Sequence, residues 1–329
     1  MSNAPRGTTA DHDDRTVPGE RRRTGRSRGR ATVAAAVAAV AVLALTAACD
    51  KGTTTTGDPT SSSSAAPTGG PENMLSDGAV FVGQSGKISV RPTAALAEGA
   101  APVATESLRD GGLIDVVLYL DYRSPDAATF WSTNSKMLEE WLSGGHVTFE
   151  VHPVAVLDGA TSTSAPPSDG ATAGAATALS GDYSTRAAGA FACVASTDPE
   201  HAYDVNAALL EAQPDLPDDG LATDALVELV AGAGATGDDV ASCIEHGDWT
   251  GWAAQATARA QESVPFENVP ALDVPMRLLI GGVPYPGEID SPDQFFAFMA
   301  QTYNGIMAAA QQKALEGQTG ASTTPTPGG

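Results

Sequence analysis

The sequence predicts an α/β domain with a helical subdomain inserted into it, and three observations support this fold class. Two strand-like runs, residues 113–121 and 146–158, flank an amphipathic helix, which is the pattern of a βαβ unit. Helical periodicity then continues almost without a break from residue 184 to residue 262. Strand character returns at residues 274–282, ahead of a long terminal helix.

The first half of the chain supplies a hairpin and the βαβ unit. Residues 79–91, AVFVGQSGKISVR, alternate around a GQSG turn and predict either a hairpin or one bent strand. The run LIDVVLYLD at 113–121 is nearly all apolar, as expected of a strand buried on both faces, and HVTFEVHPVAVLD at 146–158 alternates. Because the joints to the intervening helix are short, the two strands should be parallel. That helix should end near Gly144, and its apolar face consists of Phe130, Trp131, Asn134, Leu138, Trp141 and Leu142.

The second half is mainly helical. Breaks at Pro, Gly and Asp divide residues 184–262 into four or five short helices. The stretch VPMRLLIGG at 274–282 predicts a strand, and VPYPG turns the chain directly after it. The terminal helix should bury one side, formed by Phe295, Phe298, Met299, Thr302 and Ile306.

Three segments rich in Gly, Pro, Ser and Thr divide the chain. With so little apolar surface to bury, such segments are expected to remain disordered. We therefore expect a disordered linker at 49–73, a flexible insertion at 158–182 and a disordered tail at 313–329. The folded parts are then 74–157, 183–263 and 264–312.

Residues 1–48 predict an export signal or a membrane anchor. Eight arginines precede residue 31, and no charge occurs from residue 31 to residue 48. This apolar run ends at LTAAC, which resembles the lipobox of bacterial lipoproteins and implies a lipid on Cys49. The alternative is an uncleaved single span with its arginines inside the cell. Both alternatives place the folded part on the extracytoplasmic face of the cell membrane, attached to it by a lipid or by a helix.

The charge of the chain excludes one class of partner. After removal of residues 1–48, 10 basic and 36 acidic residues remain, a net charge of −26. A surface this negative repels nucleic acid, so we expect no nucleic-acid partner. The chain also contains no Walker loop and no dinucleotide-binding glycine pattern, so we expect no cofactor.

The cysteines predict a disulfide. If Cys49 carries lipid, Cys193 and Cys243 form an even pair in an oxidising compartment, where a disulfide is the expected state. The disulfide would close a loop of about 50 residues between Cys193 and Cys243, which contributes about 4 kcal/mol to stability on the chain-entropy model. The alternative is a zinc ion bound by both cysteines together with His201 and His246, since Cys243 and His246 have ligand-like spacing. The extracellular setting favours the disulfide, and we predict no metal site.

The junction after the strand at 113–121 carries a family resemblance. It reads Asp121-Tyr122-Arg123-Ser124-Pro125-Asp126-Ala127-Ala128-Thr129-Phe130 and matches the Asp-Tyr-x-Cys-Pro-x-Cys-x-x-Phe pattern at Asp, Tyr, Pro and Phe. Val274-Pro275 matches the Val-Pro or Thr-Pro pair, with a cis proline, that precedes the family's next strand. The chain thus resembles DsbA-like thiol-disulfide oxidoreductases over about residues 79–312. The resemblance implies a thioredoxin-like fold with a helical insertion.

The sequence departs from this family at the two residues that carry its chemistry. Ser124 stands where the family has its nucleophilic cysteine, and Ala127 stands where it has the resolving cysteine. A serine hydroxyl forms no disulfide, and Asp126 opposes an anionic nucleophile, so we predict no thiol exchange at this position. Ser124, Pro125 and Asp126 are instead preferred residues at a helix start. The same tripeptide recurs at 291–293, where the terminal helix should begin.

These observations favour a binding function over a catalytic one. By resemblance, the backbone of Val274 beside Pro275 pairs with an extended peptide, and Tyr122 borders the same groove. We therefore expect a membrane-tethered, redox-inactive DsbA-like protein that binds an extracytoplasmic polypeptide or an envelope protein. One alternative is an oxidoreductase of this family that acts through Cys193 and Cys243. The other is a structural scaffold domain.

Overall fold

The computed structural model describes residues 69–104, 114–158 and 181–321, with side chains to residue 316. These residues form six strands, seven α-helices and one short 3₁₀ helix at Gln213–Asp215. The strands are β1 (Ala79–Gln84), β2 (Lys87–Val90), β3 (Ile114–Leu120), β4 (Val147–Pro153), β5 (Met276–Ile280) and β6 (Val283–Pro284). The helices are α1 (Pro125–Ser143), α2 (Tyr183–Thr197), α3 (Ala202–Glu211), α4 (Thr223–Gly232), α5 (Asp238–His246), α6 (Thr250–Glu262) and α7 (Pro292–Ala321).

The strands form one mixed sheet in the order β2-β1-β4-β3-β5-β6. β3 and β4 run parallel and α1 connects them, which confirms the predicted βαβ unit. β5 pairs antiparallel with β3, β6 with β5, and β1 with β4. Both central strands are buried at every residue, which is why they contain so many apolar residues. The last residue of β3 therefore lies beside the first residue of β5, near the middle of the sheet.

The first two strands form a hairpin, which decides between the two structures expected for residues 79–91. The turn residues Ser85 and Gly86 have φ angles of 54° and 77°, and a two-residue turn with both angles positive suits the twist of a hairpin. β2 lies at one edge of the sheet. A Cβ atom at Gly83 would lie 1.7 Å from the carbonyl oxygen of Leu142, so the last turn of α1 crosses β1 where only glycine fits.

Five helices, α2 to α6, form the helical subdomain between β4 and β5. Helix α2 is buried over most of its length and lies at the centre of this subdomain. Its start is capped from outside the helix, because the Asp158 carboxylate accepts hydrogen bonds from the Ser184 and Thr185 amides at 2.9 and 2.7 Å. The loop that follows β4 therefore fixes where the subdomain begins.

Aromatic side chains join the sheet to the helices. Phe81 and Phe149 lie on neighbouring strands with ring centroids 6.0 Å apart, and the Phe191 ring of α2 lies 6.4 Å from Phe81. The Trp131 ring of α1 lies 6.2 Å from Phe149. Such offset and edge contacts add to the free energy of apolar burial. One continuous core thus spans the sheet and the inserted helices.

Two predicted boundaries are wrong. Residues 69–73 belong to the folded part rather than to the linker, because the Asn73 amide donates to the Thr93 carbonyl at 2.9 Å and Pro71 is buried. Helix α7 continues to Ala321, into the tail that was expected to be disordered from residue 313. Residues 308–316 are mostly Ala, Gln, Lys, Leu and Glu, which are strong helix formers.

No helix among residues 69–104, 114–158 and 181–321 is long and apolar enough to cross a membrane. The predicted anchor at 1–48, its Cys49 and most of the flexible insertion at 158–182 lie outside the described residues. Their assignments therefore remain predictions.

Candidate functional site at the start of helix α1

Helix α1 begins shortly after β3 and has a capped N-terminus. Ser124 has an extended backbone (φ −74°, ψ 118°), and its Oγ accepts a hydrogen bond from the Ala127 amide at 3.3 Å. Pro125 occupies the first turn, and Asp126 places a negative charge near the positive end of the helix dipole. The helix start predicted from Ser-Pro-Asp is confirmed. Ser124 and Ala127 are fully buried, so neither presents a reactive group at the surface.

Asp121 links this helix start to the rest of the site. Its carboxylate accepts hydrogen bonds from the Arg123 amide at 2.9 Å and from the Leu157 amide at 2.8 Å. The side chain is fully buried, and the loss of hydration raises the pKa of the Asp121 carboxyl to about 6. We did not predict a role for Asp121 beyond the family match. The usable signal was an acid directly after a fully buried strand.

The proline loop lies against the same residue. The Asp121 amide donates a hydrogen bond to the Pro275 carbonyl at 2.8 Å, and Leu120 pairs with Met276 in the sheet. Pro275 thus lies beside the residue three positions before Ser124. This is the proximity that the resemblance implied for the two motifs.

Val274 lies on the exposed part of this loop, next to the exposed Asp273. Its side chain is 37% exposed, and no hydrogen bond joins its N–H or C=O to another residue that the structure describes. The preceding residues are held in place by Arg277, which donates to the Pro270 and Ala271 carbonyls and forms an ion pair with Asp273 at 2.7 Å. A fixed loop with a free backbone unit at its tip can pair with an extended chain.

Beside this loop, a groove is formed by β5, β6 and the start of α1. It has a volume of about 250 Å³ and is bordered by Asp126, Met276, Pro284 and Tyr285. The sequence did not single out Met276 or Tyr285 as site residues. In the sequence, Met276 is marked only by its position directly after Val274-Pro275, and Tyr285 only by its position in the VPYPG turn. Val274 and Pro275 do not line this groove, and they lie next to it because Met276 follows them directly in the chain.

Tyr122 does not belong to this groove, and its prediction as a peptide-binding residue is wrong. The side chain is fully buried, and its hydroxyl donates to Asn206 Oδ1 in α3 at 3.0 Å. Burial raises the pKa of Tyr122 well above its usual value. The Tyr122 side chain packs against the helical subdomain, where its ring centroid lies 6.3 Å from that of Phe191.

Cys193 and Cys243 form a disulfide, as predicted. It joins α2 to α5, with 5.9 Å between the Cα atoms, and both residues are buried. The alternative zinc site is wrong, because disulfide sulfurs supply no thiolate ligands. The two histidines have other partners: His201 Nδ1 lies 2.8 Å from Asp198 Oδ1, and His246 Nδ1 lies 2.7 Å from the Ser242 carbonyl.

Comparison with known proteins finds similarity among solved structures only. No protein-family model and no curated protein sequence matches the chain. The reduced disulfide oxidoreductase DsbG from Mycobacterium tuberculosis is 22% identical over 71% of this chain and 92% of its own, with a TM-score of 0.47. Oxidised DsbA from the same organism is 23% identical over 71% and 98%, with a TM-score of 0.45. The thiol-disulfide oxidoreductase MdbA from Corynebacterium diphtheriae is 15% identical over 68% and 93%, with a TM-score of 0.40.

The chain is thus similar in structure to DsbA, DsbG and MdbA at low sequence identity. The fold rests on the topology itself: a βαβ unit, an inserted helical subdomain, then two antiparallel strands and a terminal helix. The molecule has an α/β, thioredoxin-like fold with a helical insertion.

Proposed function

We propose that this chain is an extracytoplasmic, membrane-tethered protein of the DsbA-like type that binds polypeptide and exchanges no thiols at the start of α1. The observation that carries the proposal is the contrast between Ser124, at the start of α1, and Val274, on the proline loop. Ser124 is buried and its hydroxyl caps a helix, whereas Val274 is exposed and its backbone hydrogen-bonding groups are free among the described residues. The site therefore retains a surface for pairing and lacks a group for electron transfer.

The groove geometry supports binding of an extended segment. A strand added beside Val274 would gain backbone hydrogen bonds that carry little sequence information. Met276 and Tyr285 would contact its side chains, and Asp126 would favour a basic or polar residue near the helix start. Such a site suits a protein that holds unfolded or partly folded chains in the envelope.

The absence of thiol exchange follows from the residues at the helix start. Electron transfer there needs a thiolate that attacks a disulfide and a second thiol that resolves the mixed disulfide. Ser124 and Ala127 supply neither. We expect the purified protein to reduce insulin no faster than the free dithiol added to the assay.

Binding can be tested with an unfolded protein whose cysteines have been alkylated, so that thiol exchange contributes nothing. Val274→Pro removes the N–H at the tip of the loop and should weaken binding at least about tenfold, because extended-chain pairing uses that group. Val274→Thr is the matched control, since it changes the side chain and preserves the backbone; it should bind as the wild type does. If the wild type and Val274→Pro bound the unfolded protein equally well, the proposed binding site at the proline loop would be wrong.

The oxidoreductase alternative has one observation in its favour. Cys193 and Cys243 border a cavity of about 240 Å³ that is also lined by Arg186 and His246, so a small thiol could approach the disulfide. Turnover of a dithiol that is lost in Cys243→Ser would establish this alternative and overturn the binding proposal. Because removal of the bridge costs about 4 kcal/mol of stability, the variant must be assayed well below its unfolding temperature.

The scaffold alternative differs from both in its partners. A scaffold domain would co-purify from membranes with a defined assembly and would bind no unfolded polypeptide. The same binding assay, repeated on membrane extracts, separates a defined assembly from a range of client chains.

A further inference from the structure

A second groove lies at the opposite edge of the sheet from the proline loop. The β1–β2 hairpin forms one wall, helix α1 the second and helix α3 the third, and the volume is about 740 Å³. On α1 the lining residues Trp131, Ser135, Glu139 and Ser143 are spaced by four, so they form one stripe along the helix. The groove is long and open, and it lies outside the site described above.

Strand β2 has backbone groups at this groove that pair with no other strand among the described residues. β2 is an edge strand, and its register pairs Phe81 with Val90 and Gly83 with Ile88. The Arg91 amide bonds to the Val80 carbonyl at 2.7 Å, which fixes the alternation: the pairs that include Ile88 and Val90 are non-hydrogen-bonded. Their N–H and C=O groups therefore point away from β1. Ile88 lines the groove, so its backbone is available to an added strand.

The floor of the groove is aromatic. The rings of Trp131 and Tyr203 lie 5.7 Å apart, and both residues line the groove. The Tyr203 hydroxyl is inaccessible to solvent and has no hydrogen-bond partner among the described residues. Because this hydroxyl is inaccessible, the two rings offer an incoming chain apolar surface rather than a hydrogen bond.

The rim of the groove is strongly acidic. Glu139, Glu200, Asp204 and Glu211 are all exposed, and none is within ion-pair distance of a basic side chain in the part of the chain that the structure describes. Lys87 is the one basic residue among the lining residues. Four carboxylates against one ammonium give a negative potential that selects for a basic occupant.

The rest of this chain is a poor match for that rim. Segments 31–68, 105–113, 159–180 and 322–329 contain two basic and five acidic residues between them. The basic segment at 1–30 precedes the predicted anchor and is expected on the other side of the membrane or removed with the signal. Charge complementarity therefore points to a segment of another protein.

We propose that this groove is a second polypeptide-binding site, which takes an extended, basic segment of a partner protein along the free edge of β2. The segment pairs with the backbone of Ile88, places apolar side chains on Trp131 and Tyr203, and places Lys or Arg side chains against Glu139 and Asp204. The two sites lie at opposite edges of the sheet, so occupancy of one leaves the other open.

The test uses the full chain in neutral detergent micelles and a labelled peptide in which Lys and Val alternate. The peptide should bind and should quench or shift the tryptophan fluorescence of the protein, to which Trp131 contributes. Binding should weaken as the salt concentration rises. A peptide of alternating Glu and Val should not bind. The double variant Glu139→Lys, Asp204→Lys should weaken binding by about tenfold, since two attractions become repulsions at the rim.

Matched variants separate this site from general charge effects and from the proline-loop groove. Glu228→Lys changes an exposed acid on α4, away from the groove, and should bind as the wild type does. Ile88→Pro removes an outward N–H that no other strand uses in the part of the chain that the structure describes, and it should also weaken binding. The proposal would be overturned if the basic and the acidic peptide bound equally well. It would also be overturned if Glu228→Lys weakened binding of the basic peptide as much as the double variant does, or if Val274→Pro were the one variant that weakened it. Because Val274→Pro reports on the other groove, failure of either site is distinguishable from failure of the other.

Discussion

The tripeptide Ser-Pro-Asp begins two helices in this chain, and the two starts share their local geometry. The Ser124 amide bonds to the Asp121 carbonyl at 2.8 Å, and the Ser291 amide bonds to the Glu288 carbonyl at 3.3 Å. Each serine Oγ accepts from the amide three residues later, at 3.3 Å from Ala127 and at 3.4 Å from Gln294. Local sequence therefore produces the same cap twice.

The surroundings of the two starts differ completely. Ser124 and Ala127 are fully buried beside the end of β3, and Asp121 before them is buried as well. At the terminal helix, Gln294 and Glu288 are exposed. A helix start thus becomes a candidate site only through its neighbours, which at α1 include the proline loop that bonds to Asp121.

The largest difference between the two starts should come from exchanging the fourth residue. Ala127→Gln forces a long polar side chain into a filled, apolar position and should lower the free energy of unfolding by about 4 kcal/mol. The reciprocal Gln294→Ala changes an exposed residue and should cost less than about 1 kcal/mol. Denaturant unfolding of both variants measures the difference. Similar losses at the two positions would mean that burial does not distinguish these helix starts.

A second test of the difference between the two helix starts uses the acidic residues three positions before each serine, Asp121 and Glu288. The folded-state pKa of Asp121 is raised to about 6, above its unfolded value, so its protonation favours the folded state. This contribution is present in full below pH 4 and is lost as the pH rises through about 6, with a total of up to about 3 kcal/mol. Asp121→Asn should remove that pH dependence from urea unfolding curves recorded between pH 4 and 7. Glu288→Gln, which removes an exposed carboxylate, is the control for the loss of one charge.

The smallest effect should come from the caps themselves. Ser124→Ala leaves the Ala127 amide without a partner in a buried setting and should cost about 1–2 kcal/mol. Ser291→Ala exposes the Gln294 amide to water, which replaces the lost bond, so its cost should be about 0.5 kcal/mol. Thermal unfolding of the pair resolves this difference. A larger loss for Ser291→Ala would contradict the idea that burial sets the cost of losing a cap.

Much of the fold could be predicted from the sequence because its signals are local. The apolar run before Asp121, the spacing of residues along α1 and the breaks between the short helices follow from burial and helix periodicity. The even pair of cysteines likewise predicted the bridge between α2 and α5. The same reasoning placed the end of the folded part at residue 312, whereas α7 continues to Ala321 through a stretch of strong helix formers.

The candidate sites were less predictable, because they depend on residues far apart in the chain. The sequence identified Ser124 and Pro275, but it placed Tyr122 at the surface, whereas the packing of α3 against the strand end buries it. The groove beside β2 left no sequence signal at all. Its walls come from residues near 88, 135 and 204, which tertiary structure alone brings together.

Residue type and short-range spacing were enough to specify the helix starts, the buried strands, the pair of bridging cysteines and the lack of sulfur before α1. Each of these properties depends on a few turns of chain. Long-range packing determined which of the two identical helix caps lies near the proline loop. It also determined which edge of the sheet remains open beside acidic residues of the helices. It does so because burial and free backbone groups are set by the elements that pack nearby, and the sequence of one segment does not specify its neighbours.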